Sequence, residues 1–202
     1  MNLLAHAYLS FNDGDILLGN MISDYVKGKK QFDYPKTIQA GIKLHRAIDT
    51  FTDTHPATNE LKKIFAPTYR LYAGAFVDVV YDYFLANDAA QFATKNHLQN
   101  FTIETYSLLT KNQIHFPEKF ANQFPHMLTN DWLYHYHSDE GMRKSFSGLA
   151  RRAKYITETD TAMQLFLDNK QRIQIAYDTF FPSLKKMVLE QMETKRYIDE
   201  IK

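Results

Sequence analysis

Leu71-Tyr72-Ala73-Gly74-Ala75-Phe76-Val77-Asp78-Val79-Val80-Tyr81-Asp82-Tyr83-Phe84-Leu85 repeats its apolar residues every three or four positions and never alternates in twos, which predicts a helix over 68–87. One stripe of that helix runs Leu71, Gly74, Ala75, Asp78, Asp82, Leu85, and the other face carries Phe76, Val77, Val80 and Phe84. A helix apolar nearly all round belongs inside a protein. Asp78 and Asp82, at i and i+4, then face the same way with Cβ atoms about 5–6 Å apart. Two like charges in a dry interior are unfavourable unless something positive lies between them, a metal ion or an arginine.

The same spacing extends outward over the whole chain. It predicts helices over 2–10, 15–28, 35–53, 57–66, 68–87, 89–112, 117–129, 139–154 and 160–197. Gly28 with Lys29-Lys30 closes the second, Pro35 opens the third, and Thr52-Asp53-Thr54-His55-Pro56 ends it. Pro67, Pro117 and Pro125 punctuate later segments, and Pro182 is expected to kink the last helix. No internal repeat or linker divides the chain. The expectation is a single all-α domain over 1–202, a helical bundle.

Composition narrows the function. With 202 residues and 45 % hydrophobic content, the chain can bury a sizeable core. The absence of cysteine excludes disulfides, thiolate zinc sites and cysteine nucleophiles. A net charge of +1 gives no global field towards nucleic acid or membrane. The start lacks a basic region followed by an apolar run, and the most apolar stretches are interrupted by Asn20 or Asp78. The chain reads as soluble and cytoplasmic.

Further polar groups sit where a core is expected. In helix 35–53, His45 and Asp49 share a face, as do Asp49 and Asp53, with Arg46 one step round. Asp24 lies among Met21, Ile22, Tyr25 and Val26, and His6 among Leu3, Leu4 and Leu9. Carboxylate oxygens with one or two imidazoles suit Mg²⁺ or Mn²⁺ better than Zn²⁺ or Fe. The plain alternative is a set of hydrogen-bonded core residues, with Asp53 capping the next helix. Taken together, the residues favour an all-α hydrolase with a divalent metal.

Read together, several stretches resemble the acyl carrier protein phosphodiesterase family. They are Met1-Asn2-Leu3-Leu4-Ala5-His6, Leu18-Gly19-Asn20-Met21-Ile22-Ser23-Asp24-Tyr25-Val26-Lys27-Gly28 and Gly41-Ile42-Lys43-Leu44-His45-Arg46-Ala47-Ile48-Asp49. Phe51-Thr52-Asp53-Thr54-His55-Pro56 and Asp78-Val79-Val80-Tyr81-Asp82-Tyr83-Phe84-Leu85 continue the likeness. A looser match runs through Trp132-Leu133 and Gly148-Leu149-Ala150-Arg151-Arg152. The family is regarded as a divergent relative of the HD-type metal-dependent phosphohydrolases, which are helical. The resemblance implies hydrolysis of holo-acyl carrier protein to apo-carrier and 4′-phosphopantetheine, with manganese as the metal and magnesium as a substitute.

Carried onto this chain, the resemblance implies a metal held by Asp24, His45, Asp78 and Asp82, with Asp49 orienting His45, or itself a ligand if two metals bind. Arg46 and Arg70 are candidates to grip the phosphate, and His6 and His55 to protonate the leaving serine oxygen. Tyr83 departs from the family pattern, which has His after the second aspartate. Position 83 points about 100° away from 82 on a helix, so the ligands are expected to be unaffected. An acidic carrier calls for a basic docking surface, and Lys27-Gly28-Lys29-Lys30 and Arg151-Arg152-Ala153-Lys154 are the clusters available. The alternatives are an HD-like phosphohydrolase acting on a nucleotide or other small phosphodiester, and a non-catalytic carrier-binding protein.

Overall fold

The computed structural model describes the backbone of residues 1–200 and side chains to residue 193. Residues 201 and 202 of the expected domain lie outside the described residues. Every regular element described is helical. The α-helices are α1 (Leu3–Tyr8), α2 (Gly14–Ile22), α3 (Lys36–Thr54), α4 (Pro56–Tyr69), α5 (Ala73–Ala86), α6 (Lys95–Lys111), α7 (Glu118–Thr129), α8 (Trp132–His135), α9 (Asp139–Arg152), α10 (Asp160–Asp168) and α11 (Lys170–Glu200). The fold is all-α, and one apolar cluster runs from Met1 to Val188.

Helix α5 lies at the centre of this cluster. Phe76, Val77, Val80, Tyr81 and Leu85 are fully buried, as an all-round apolar helix requires. Its neighbours α1, α4, α9 and α11 cover it. Helices α2 and α3 form the tightest pair, because Gly19 and Gly41 face each other across it. A Cβ on Gly19 would meet the Ile38 carbonyl at 2.1 Å, and one on Gly41 the Ile16 carbonyl at 2.2 Å. Glycine at both positions lets the two backbones touch.

Several boundaries differ from the sequence expectation. Helix α2 stops at Ile22, where Ser23 Oγ donates to the Ile42 carbonyl at 3.4 Å and a 3-10 turn (Ser23–Tyr25) takes over. Gly28, at φ +59°, comes six residues later and opens a second 3-10 segment (Gly28–Asp33). Pro67 does not divide the chain but lies in the last turn of α4. The break falls at Arg70, with φ +48°. The expected helix 160–197 is split at Asn169, whose Nδ2 donates to the Leu165 carbonyl at 2.9 Å and ends α10.

Candidate metal centre

The site forms where the start of α1, the end of α2 and the middle of α3 meet beside α5. Asp82 of α5 is fully buried and accepts from the backbone N–H groups of Leu4 (2.7 Å), Asn2 (3.3 Å) and Ala5 (3.4 Å). These donors have no partner within α1, so one carboxylate closes the open end of that helix. Burial pushes the Asp82 carboxyl up to about 7, against the pull of the Met1 ammonium and these N–H groups. With its start fixed, α1 turns His6 inward.

The imidazoles of His6 and His45 stack with centroids 4.1 Å apart and planes 16° from parallel. Asp49, one turn beyond His45 on α3, reaches both: its Oδ2 lies 3.0 Å from His45 Nε2 and its Oδ1 3.2 Å from His6 Nε2. The short turn after α2 brings Asp24 Oδ1 to 3.3 Å from His45 Nε2. The Asp24 side chain is 80 % exposed and that of Asp49 42 %, so the cluster opens to solvent on their side. On the inner side Asn20 meets both rings. Its Oδ1 lies 2.7 Å from His6 Nδ1, and its main-chain oxygen lies 2.7 Å from His45 Nδ1.

Burial holds His6 down at about 4, with the His45 charge adding to it and Asp49 opposing. Burial also works against a charged His45, but Asp24 and Asp49 outweigh it and raise this imidazole to about 9. The Asp24 carboxyl is held low by His45. Burial favours the neutral form of Asp49, yet the two imidazoles outweigh it and hold its carboxyl low.

One donor set follows from this geometry. Atoms of His6, His45 and Asp49 lie within 4.8 Å of one another, and among the described residues only these three side chains gather in this way. His45 Nε2 is buried with no aligned hydrogen-bond partner, although two carboxylates lie beside it. A buried nitrogen between carboxylates calls for positive charge at that point, either a proton on the ring or a metal cation. Nitrogen and carboxylate donors converging there fit a divalent metal.

The other expected site residues have different partners. Asp78 and Asp82 do share a face of α5, and the positive groups the structure puts beside them are an amino terminus and backbone N–H donors. The Met1 ammonium lies 2.9 Å from Asp78 Oδ1 and 3.9 Å from Asp49 Oδ1, and Asp82 caps α1. Exposed Arg46 donates to Gln31 Oε1 at 2.9 Å and to the Val26 carbonyl at 3.3 Å. Arg70 is exposed at the junction of α4 and α5, outside the cluster. His55 caps α4, its Nδ1 accepting from Ala57 N–H at 3.2 Å, and its ring packs against Phe51 and Phe180. Asp53, the other candidate for that cap, pairs with Lys62 at 2.9 Å. Tyr83 faces α10 and α11, its ring 5.0 Å from Phe166 and beneath Lys170 Nζ at 4.6 Å. The residue that departs from the family pattern therefore touches no member of the cluster. Asn20 and the Met1 amine, which hold the site together, were not among the expected site residues.

A family model described as acyl carrier protein phosphodiesterase matches residues 1–184. The chain is similar to the acyl carrier protein phosphodiesterase of Yersinia pestis, with 29 % identity over 92 % of this chain and 96 % of that protein. The protein of the same name from Photorhabdus laumondii is 28 % identical over 98 % of both chains. The one from Escherichia coli O6:H1 is 30 % identical over 75 % of this chain and 79 % of its own. No solved structure matches. A match over residues 1–184 takes in every element that builds the site, and the chain belongs to the acyl carrier protein phosphodiesterase family.

Proposed function

We propose that this chain hydrolyses the phosphodiester between a serine of holo-acyl carrier protein and 4′-phosphopantetheine, with Mn²⁺ held by His6, His45 and Asp49. Magnesium is the substitute metal. The observation that carries this reading is the convergence of two imidazole Nε2 atoms and one carboxylate beneath a solvent-facing rim, in a chain of this family. A divalent cation supplies Lewis acidity towards water and towards a phosphoryl oxygen.

The chain's own residues do the rest. Asp49 reaches the Nε2 atoms of both imidazoles and completes the donor set with them. Asp24 stands at the exposed edge, nearest to an arriving phosphate. The exposed cations Lys27, Lys29, Lys30, Lys43 and Arg46 lie near Asp24 or His45 in sequence. The charge of Arg152 acts on the Tyr25 phenol, next in sequence to Asp24, which supports a second basic cluster on this side. A positive rim favours an acidic carrier and draws its phosphodiester inward. Among the described residues no helix is long and apolar enough to cross a membrane, and the reading puts the chain in the cytoplasm with its carrier.

The test is incubation of holo-carrier with the protein and Mn²⁺, with and without chelator, followed by intact mass. Conversion to apo-carrier only without chelator supports the reading. Hydrolysis of small phosphodiesters with holo-carrier untouched would support the nucleotide-type alternative. Binding of carrier without mass change would support the non-catalytic one.

A further inference from the structure

We propose that Asn20 is the positioning residue that fixes the tautomers of both metal-site histidines, its side chain acting on His6 and its main chain on His45. The assignment rests on the metal reading above, and follows from which atoms are able only to accept.

A main-chain carbonyl cannot donate. The Asn20 carbonyl lies 2.7 Å from His45 Nδ1, so that nitrogen carries the hydrogen, and once the ring is neutral Nε2 presents its lone pair. The Asn20 side chain is oriented by a second carbonyl. Its amide donates to the His6 carbonyl at 2.8 Å and to Ser10 Oγ at 3.1 Å. Ser10 Oγ in turn spends its own hydrogen on the His6 carbonyl at 2.8 Å. The reversed amide would set two oxygens against each other, so Oδ1 must face His6 Nδ1 at 2.7 Å. His6 Nδ1 therefore carries a hydrogen as well, and its Nε2 is the bare atom.

In the neutral rings both bare nitrogens point at Asp49, where lone pairs and carboxylate oxygens repel unless a proton or a metal cation lies between them. One residue can serve two helices because of the preceding glycine. The contact of Gly19 with Gly41 lays the Asn20 backbone against α3, while the side chain reaches back to α1.

Three variants of the full chain and one spectrum test this assignment. Asn20→Ala should weaken Mn²⁺ binding by about 10–100-fold, the usual cost of removing a group that orients a ligand. Long-range ¹H–¹⁵N spectra of the metal-free chain should show neutral His6 protonated on Nδ1 in the wild type, with the proton spreading to Nε2 in Asn20→Ala. Asn20→Asp keeps an acceptor towards His6 Nδ1 and should bind Mn²⁺ near the wild-type level despite a lower melting temperature. Ser10→Ala removes a buried hydrogen bond from the same network without touching either ring, and should also bind Mn²⁺ near that level. Unchanged affinity in Asn20→Ala, an equal loss in Ser10→Ala, or wild-type His6 protonated on Nε2 would each overturn the assignment. If Asn20→Ala does not fold, the wild-type tautomer and the aspartate variant decide. Failure of the wild type to bind Mn²⁺ would overturn the metal reading, and the His6 tautomer would still decide the role of Asn20.

Discussion

Asp82 accepts from Leu4 N–H at 2.7 Å, so a carboxylate on α5 caps the start of a helix through a residue 78 positions earlier in the chain. The first turn of α1, and with it His6, is held by this contact. Asp82→Asn leaves one acceptor oxygen and turns an NH₂ towards donors. The chelated protein should lose about 1–2 kcal/mol, as with other lost helix caps. The rise in melting temperature on adding Mn²⁺ should persist. Scanning calorimetry with chelator and with Mn²⁺ checks both halves.

The glycines of α2 and α3 make a second prediction. Gly41→Ala places a methyl 2.2 Å from the Ile16 carbonyl, which forces the helices apart. A cost of about 1–3 kcal/mol or more is expected, with weaker Mn²⁺ binding as His45 moves away from Asn20. Gly74→Ala is the control. Its new methyl meets only the flexible Lys62 side chain at 3.4 Å, and stability should rise by up to about 1 kcal/mol. Urea denaturation of the two variants distinguishes them.

Much of the site was legible in the helical spacing. A helix guarantees that His45 and Asp49 share a face, so their 3.0 Å approach needed no tertiary information. The demand of Asp78 and Asp82 for positive partners was legible too, since their helix is apolar nearly all round. The nature of the partners was not. Backbone N–H groups and an amino terminus carry no letter of their own, so a search among side chains names only a metal or an arginine. Asn20 showed the same signal as His6, a polar residue inside the apolar run Ile16–Ile22, yet read only as an interruption. Its function depends on two contacts across helices that no local pattern encodes. His55 shows the converse, because a histidine before proline at a helix start is also a cap.

A pH dependence follows from His45. Its imidazole is raised from 6.5 to about 9, so its charge stabilises the metal-free fold fully below pH 6.5. That contribution, up to about 3 kcal/mol, is lost as pH rises through 9. The Met1 ammonium, also raised, acts in the same direction. The melting temperature of the chelated protein should therefore fall between pH 6.5 and 9, while Mn²⁺ binding strengthens as the competing proton leaves Nε2. A chelated melting temperature that rises over this window would contradict the cluster's electrostatics.

Charge at the rim should act on encounter. Arg151→Glu with Arg152→Glu should raise KM for holo-carrier and leave hydrolysis of a small phosphodiester nearly unchanged. Steady-state kinetics on both substrates checks this, and equal losses on the two would remove these arginines from docking.

The central claim is that the cation is held by His6, His45 and Asp49, while Asp78 and Asp82 only shape the protein around it. Titration of Mn²⁺ into the wild type, Asp49→Asn and Asp78→Asn, read by the electron paramagnetic resonance of free Mn²⁺, tests it most directly. The account predicts one tight site in the wild type, retained in Asp78→Asn and lost in Asp49→Asn. Retention in Asp49→Asn with loss in Asp78→Asn would contradict it.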